Sequence, residues 1–89
     1  MTTMFVRHTV ADYATWRAVY DAFDVTNRGL GVTGQAVWQS ASDPNDLTVS
    51  HEFASLEEAQ AFASNPQLKQ AMGDAGVVGA PTIWFASRV

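Results

Sequence analysis

Two histidines, His8 and His51, stand at positions where apolar residues are expected. The segment LTVSHEF alternates apolar and polar residues as a half-buried strand does, and His51 takes an inward position like those of Leu47, Val49 and Phe53. His8 has the same place in the alternating segment from residue 4 to residue 10. A neutral imidazole, with an ordinary pKa of about 6.5, can accept a proton at neutral pH. Each histidine is therefore either a core residue bonded to a polar neighbour or a general base facing a pocket.

The two histidines alone are too few ligands for a metal site. Zinc prefers three or four protein ligands, whereas the chain has two histidines and no cysteine. The carboxylate of Glu52 points to the opposite face of its strand, because successive strand residues alternate. The segment GLGVTG lacks the spacing of a nucleotide-binding glycine loop, and no strand precedes it. We therefore expect no metal and no cofactor.

The first half of the chain predicts a strand, a helix and a second strand. Phe5–Val10 alternates and is rich in β-branched residues, which favours a strand. Asp12 is a suitable cap for a helix that glycines 29 and 31 would end, and Gly34–Ser40 indicates a weaker strand that contains Trp38. One face of the helix carries aromatic residues at steps of three, four and three, namely Tyr13, Trp16, Tyr20 and Phe23.

The second half predicts a hairpin, a helix and a last strand. Asp43–Asp46 (DPND) has the residue types typical of a turn, so it joins the second strand to a third, Leu47–Phe53. SLEE at residues 55 to 58 is a capping box that begins a helix, which restarts at Pro66. A glycine-rich loop then leads to a final strand, Thr82–Ala86. The predicted buried residues of the helix are Leu56, Ala59, Phe62, Ala63, Leu68 and Met72.

The order β-α-β-β-α-β is the ferredoxin-like pattern of the α+β class, with a four-stranded antiparallel sheet. We expect residues 1–89 to form one domain in which strands one and three lie side by side and both histidines face the helices. A loop of residues 43 to 46 places Trp38 opposite His51, whereas a loop one residue longer turns Trp38 to the other face. The predicted cavity between sheet and helices is walled by Trp16, Tyr20, Trp38 and Phe62.

Composition argues against several classes of partner. Five basic and nine acidic residues give a net charge of −4, which disfavours nucleic acid. No stretch approaches the roughly 18–20 apolar residues of a membrane span, and the first residues lack a secretion signal, so we expect no membrane partner and a cytoplasmic location. A chain of 89 residues has a thin core, which favours association with a second copy. We expect a homodimer formed through the bare sheet face, on which we place Phe5 and Val37.

Most of the chain resembles a known group of proteins through FVRHTVADYATWRAVYDAF, GVTG, the Asp-Pro-Asn turn, VSHEFASLEEAQAFASNPQLKQAM and GVVGAPTIWF. These segments are similar to the dimeric α+β barrel superfamily, and most closely to the antibiotic-biosynthesis-monooxygenase-like proteins and small proteins labelled cyclases. The resemblance implies a homodimer with two sheets packed face to face, each subunit keeping its own cavity. Arg7 and Glu52 would pair in that barrel interior, within or between subunits, and the polar lining of the interior would be Arg7, Thr9, Thr48, Ser50 and Glu52.

The chemistry of that superfamily includes cofactor-free oxygenation of polycyclic phenols, aldol cyclisation of polyketides and haem degradation. The plant cyclase relatives use a histidine on strand one, which His8 matches within one position. Their second histidine falls near Leu68, which cannot move a proton, so an aldol mechanism would need His51 instead.

The first hypothesis is a cofactor-independent monooxygenase-like or cyclase-like enzyme for an aromatic or polyketide-type molecule. His8 or His51 would act as the base and Tyr20 would donate a hydrogen bond to the developing oxyanion. The substrate would bind against Trp16, Trp38 and Phe62. The second hypothesis is a dimeric protein that binds a small apolar ligand without changing it, and the third is a packed core without a cavity.

Overall fold

A computed structural model describes all 89 residues as an α+β fold with one antiparallel sheet, ordered β2-β3-β1-β4. The ferredoxin-like pattern is confirmed, and so is the central position of β1 beside β3. The elements are β1 Thr2–Val10, α1 Tyr13–Ala22, α2 Asp24–Gly29, β2 Gly34–Gln39, β3 Asp46–Phe53, α3 Leu56–Ala63, α4 Pro66–Asp74 and β4 Val77–Ala86.

The first predicted helix is two helices, because the helical run is interrupted at Phe23. Asp12 caps α1 as predicted and accepts the Thr15 backbone N–H at 3.0 Å. The N–H of Phe23 is shared between the carbonyls of Val19 and Tyr20, an arrangement common at helix ends. The short α2 then continues the chain to Gly29.

The second helical region begins at Ser55, which accepts the Glu58 backbone N–H at 3.2 Å. Pro66 occupies the first turn of α4, as predicted. This position tolerates proline because the missing N–H would have had no helical partner. The prediction that Leu56 is buried is wrong: it stands in the first turn of α3 and is 47% exposed.

The last strand begins at Val77, in the segment predicted as a glycine-rich loop. The register of β4 on β1 shifts between Arg7 and Thr9, and Gly79 lies in that irregular part with a positive φ of 73°. Such a bulge suits an edge strand, where the absent N–H of Pro81 can face away from the sheet.

Strands β2 and β3 pair in a different register from the predicted one, and this corrects the position of Trp38. The Ser40 N–H bonds to the Asp46 carbonyl at 2.9 Å, and Trp38 pairs with Thr48 instead of His51. The predicted and observed registers of β2 on β3 differ by an odd number of residues, so every β2 side chain lies on the face opposite to the predicted one. Trp38 therefore lies on the face away from the helices, while Val37, predicted there, lies on the helix side.

The helix-covered face packs into two apolar clusters, and the histidines lie where the clusters meet. On β1, His8 stands between Val6 of the first cluster and Val10 of the second; on β3, His51 stands between Val49 and Phe53, which again belong to different clusters. The first cluster is Met4, Val6, Val32, Phe53, Ala59, Phe62 and Leu68, and the second is Val10, Trp16, Leu47, Val49 and Ala75.

The other face of the sheet carries exposed aromatic residues and an ion pair. Phe5 stacks on Trp84 with ring centroids 5.4 Å apart. Arg7 pairs with Asp46 through two hydrogen bonds of 2.7 and 3.1 Å. Arg7 therefore does not pair with Glu52 within the chain, because Glu52 lies opposite Thr3, four residues further along β1. A pairing of the two residues between subunits stays a prediction.

Candidate functional site

The two histidines share the helix-covered face of adjacent strands, as predicted, but they are not a directly paired dyad. His51 lies opposite Met4, and His8 lies opposite Leu47. Four residues along the strand separate the two positions, or about 13 Å between backbones at roughly 3.3 Å per residue. The imidazoles therefore stand towards two ends of one row of side chains.

Helix α1 spans the distance between the histidines with two aromatic rings. Trp16 meets the His8 ring edge to face at 5.8 Å between centroids. Tyr20 stacks on Trp16 at 4.7 Å and reaches the His51 ring at 6.3 Å. The aromatic stripe predicted for this helix thus carries Trp16 and Tyr20 to the histidine row.

An apolar cavity of about 50 Å³ lies between the sheet and helices α1, α2 and α4. His8, His51, Trp16 and Tyr20 all line it, together with a largely aliphatic wall. A water molecule needs about 10–15 Å³ of such volume, so the cavity can hold a few small groups. It is smaller than the roughly 300–1,000 Å³ typical of sites that enclose a whole drug-sized ligand.

Every buried side-chain polar atom without a hydrogen-bond partner belongs to a residue that lines this cavity. Buried polar groups are normally satisfied, since leaving one unpaired costs about 1–3 kcal/mol. These unpartnered donors and acceptors thus belong to residues around one cavity. The atoms are His8 Nδ1 and Nε2, His51 Nδ1, Tyr20 Oη and Asn27 Oδ1.

Burial keeps the titratable groups of the cavity uncharged at neutral pH. Desolvation lowers the pKa of His51 to about 4, with a smaller contribution from His8, and desolvation also lowers the pKa of His8. Desolvation raises the pKa of the Tyr20 hydroxyl to about 12. The cavity therefore presents two neutral imidazoles and a protonated phenol, which are hydrogen-bonding groups without charge.

Asn27 is a cavity residue that the sequence analysis missed. It lies on α2, is 2% exposed, and donates from Nδ2 to the Gln35 Oε1 at 3.3 Å. The signal was present: after Phe23 the aromatic stripe continues by a step of four to residue 27, the next position on that helical face.

Two predicted binding residues lie outside the cavity lining. Trp38 is 52% exposed on the opposite face of the sheet, so it cannot contact a molecule held beside the histidines. Phe62 is buried in the first core cluster and packs on the His51 ring at 5.1 Å. Its role is to hold the imidazole of His51, whereas the aromatic wall of the cavity comes from Trp16 and Tyr20.

A groove of about 560 Å³ runs on the surface between α1–α2 and α4, beside the cavity. Val19, Phe23 and Ala71 line both spaces and thus form the wall between them. Phe23 stands at the break between α1 and α2.

No cluster of three or more His, Asp or Glu side chains is arranged to hold a metal ion. None of the helices combines the length and the apolar character that crossing a membrane requires. The ion pair of Arg7 with Asp46, which joins β1 to β3, lies on the open face and not at the cavity.

Solved structures similar to this chain share its fold over nearly their full length. A candidate antibiotic biosynthesis monooxygenase from Bordetella bronchiseptica aligns with a TM-score of 0.85 at 13% identity, covering 99% of this chain and 96% of that one. A candidate antibiotic biosynthesis monooxygenase from Caulobacter crescentus gives 0.77 at 17% identity, with coverages of 99% and 89%.

The N63A mutant of SnoaB, a cofactor-independent oxygenase from Streptomyces nogalater, aligns with a TM-score of 0.77 at 11% identity, covering 98% of this chain and 91% of that one. No protein-family sequence model matches the chain, and no curated protein sequence matches it either. The chain therefore has the fold of the antibiotic biosynthesis monooxygenases, which confirms the fold that the resemblance implied.

The lowered pKa of His51 predicts a loss of stability in acid. Folded His51 resists protonation down to about pH 4, whereas unfolded histidine protonates near its ordinary pKa of about 6.5. Protons therefore favour the unfolded chain as the pH falls from about 6.5 to 4. For His51 alone, the free energy of unfolding should drop by about 2 kcal/mol between pH 7.5 and pH 5. Urea titrations at both pH values measure this drop.

The matched variant is His51→Phe, which keeps a ring in place but cannot titrate. Its stability should fall less than that of the wild type over the same interval, by about the 2 kcal/mol assigned to His51. Equal pH dependence in both proteins would contradict the account of His51 as a buried neutral imidazole.

Proposed function

We propose that this protein, which has the fold of the cofactor-independent oxygenase SnoaB, is itself a cofactor-independent enzyme that removes a proton from a small phenolic or enolic molecule. The observation that carries the proposal is that the four residues with buried, unpartnered polar atoms, His8, His51, Tyr20 and Asn27, all line one cavity. These atoms can bind, deprotonate and stabilise a neutral polar substrate without a metal or a cofactor.

His8 is the better candidate for the general base. A base works best when its pKa lies near the working pH, and the value of about 4 for His51 is far from neutrality. Desolvation by burial also lowers the pKa of His8, but both of its ring nitrogens lack a hydrogen-bond partner within the protein. We assign proton removal to His8 and a hydrogen-bonding role to His51.

Tyr20 would stabilise the negative charge that proton removal creates. Its hydroxyl is buried without a partner and stays protonated up to a pKa of about 12. It can therefore donate a hydrogen bond to a phenolate or enolate oxygen, as groups in oxyanion holes do. Trp16 stacks on Tyr20 and would provide an apolar surface for an aromatic ring.

Of the two possible reactions we propose oxygenation, which is supported by the fold shared with the cofactor-independent oxygenase SnoaB. Loss of the phenolic or enolic proton gives a resonance-stabilised anion with carbanion character at a carbon that still bears hydrogen, and dioxygen adds to that carbon to form a peroxide. Elimination of water then leaves a carbonyl, so one dioxygen converts the CH₂ group of the keto tautomer into C=O and one water. In a cyclase the same carbanion would attack a carbonyl carbon, and the proton would return to the new alkoxide.

The cavity volume limits how the substrate binds. About 50 Å³ accepts the reacting end of a molecule but not a fused ring system. We place the remainder of a larger substrate in the groove between α1–α2 and α4, reached when Val19, Phe23 and Ala71 move apart.

The alternative is a protein that binds a small polar molecule without turnover. The lowered pKa of both histidines favours this function, because it weakens them as bases while leaving them able to exchange hydrogen bonds.

Replacing His8 distinguishes the two functions. With a panel of one-ring and fused-ring phenols, oxygen uptake and product formation should fall by about 10² to 10⁴ in His8→Gln, because glutamine cannot accept the proton. Lys69→Gln, an exposed change on α4, serves as the control and should retain full activity. Unchanged turnover in His8→Gln would contradict the assigned base. Phenol binding without turnover in the wild type would support the alternative.

We also propose that the open face of the sheet joins two copies in a homodimer. The face carries a large aromatic surface: Trp38 is 52% and Trp84 is 41% exposed, and Trp84 stacks on Phe5. Exposed apolar patches of this kind are typical of protein interfaces. An isologous contact of this face with itself would follow from twofold symmetry.

Light scattering at micromolar concentration should return the mass of two chains for the wild type. Trp84→Asp should shift the mass toward one chain, since it would bury an unpaired charge at the contact. Val25→Asp is the matched control, because Val25 is 81% exposed on α2 and away from the sheet. A monomeric wild type would contradict the proposed dimer.

A further inference from the structure

A chain of polar contacts runs from the protein surface to the cavity through four side chains. Arg28 Nε lies 3.2 Å from Asp24 Oδ2. Gln35 Nε2 donates to Asp24 Oδ1 at 2.6 Å, and Asn27 Nδ2 donates to Gln35 Oε1 at 3.3 Å. The last atom of the chain of contacts, Asn27 Oδ1, is buried without a partner and belongs to a residue that lines the cavity.

The direction of this chain follows from the chemistry of its first carboxylate. An ionised carboxylate only accepts hydrogen bonds, so the Gln35 side chain must turn its NH₂ group toward Asp24. The Gln35 oxygen then faces Asn27, which must donate a hydrogen bond to it from its own NH₂ group. An amide presents opposite groups at its two corners, so the Asn27 oxygen is left toward the cavity. The charge on Asp24 thus determines, through Gln35, the orientation of the Asn27 amide.

We propose that Asn27 is a specificity-determining residue, held by Asp24 and Gln35 so that it presents only a hydrogen-bond acceptor to the cavity. A ligand must then place a donor, a hydroxyl or an amino group, against Asn27 Oδ1. This inference rests on the proposed function, because it names the class of molecule which that cavity selects: a neutral molecule with a donor group.

The rest of the cavity agrees with a neutral ligand. None of its lining residues is an Asp, Glu, Lys or Arg, so a carboxylate or an ammonium group would be buried without a counter-charge, which is costly. A carboxylate would also face the oxygen of Asn27. A neutral hydroxyl avoids both penalties and satisfies the orphaned acceptor.

The orientation of the amides can be measured without any ligand. In the wild type, NMR couplings across hydrogen bonds should connect the Gln35 amide nitrogen with the Asp24 carboxyl and the Asn27 amide nitrogen with the Gln35 carbonyl. In Asp24→Asn the new amide can donate or accept, so both couplings should weaken or disappear. Asp21→Asn is the matched control, because Asp21 pairs with Arg17 on α1. Couplings in the opposite direction would overturn the inference.

Ligand selection is tested with phenol and fluorobenzene, which have similar shapes but differ in the donor. With the imidazole signals of His8 and His51 as the readout, the wild type should bind phenol about 3- to 10-fold more tightly than fluorobenzene, the value of one hydrogen bond. The preference should shrink toward equality in Asp24→Asn and in Asn27→Leu, and persist in Asp21→Asn.

The outcomes separate the inference from the proposed function. Equal binding of the two probes by the wild type, or an unchanged preference in Asp24→Asn, overturns the role of Asn27 while leaving a binding cavity in place. If neither probe perturbs either imidazole, the proposed function is contradicted and the inference falls with it.

Discussion

A buried hydrogen-bonding atom without a partner costs about 1–3 kcal/mol, and this protein carries five of them around one cavity. A domain of this size has a total free energy of unfolding of roughly 5–15 kcal/mol, so the summed cost of these unpaired atoms is large by comparison. Apolar residues at these positions would pack the core at lower cost. Violations of ordinary packing rules that occur together at one place are typical of functional sites. The unpaired polar atoms on residues around this cavity are such a group.

The sheet separates two kinds of surface, and the strand alternation keeps them apart. One face holds His8 and His51 beneath the helices, where desolvation keeps the imidazoles neutral. The other face holds Arg7 with Asp46 and the Phe5–Trp84 stack. The ion pair of the sheet thus lies on the face on which a second chain would pack, while the cavity is lined by polar groups without charge.

The regular parts of the fold were predictable because they follow local periodicity. Alternation in β1 and β3 placed both histidines on one face, and the three-and-four spacing of α1 brought Trp16 and Tyr20 to them. Only the site residues that depend on such periodicity could be placed from the sequence.

The errors arose where position depends on distant geometry. Trp38 was misplaced because a hairpin register is determined by loop length, and the pairing of Ser40 with Asp46 is not visible in the turn residues alone. Asn27 was missed because, although it falls on the aromatic face of the predicted helix, a polar residue near the end of a helix resembles a solvated one. Its burial follows from the packing of α2 over the sheet and from the contact with Gln35.

The central claim is that His8 and His51 are neutral and unpartnered within the protein, ready for a ligand. The most direct measurement is a ¹⁵N NMR titration of the imidazole nitrogens between pH 3.5 and pH 8 in the absence of ligand. The account predicts that both rings are neutral at pH 7, that His51 protonates only near pH 4, and that no ring nitrogen shows a strong hydrogen bond to a protein group. A His51 that protonates at or above its ordinary pKa of about 6.5, or a ring held by a carbonyl or hydroxyl, would identify it as a satisfied core residue and contradict the account.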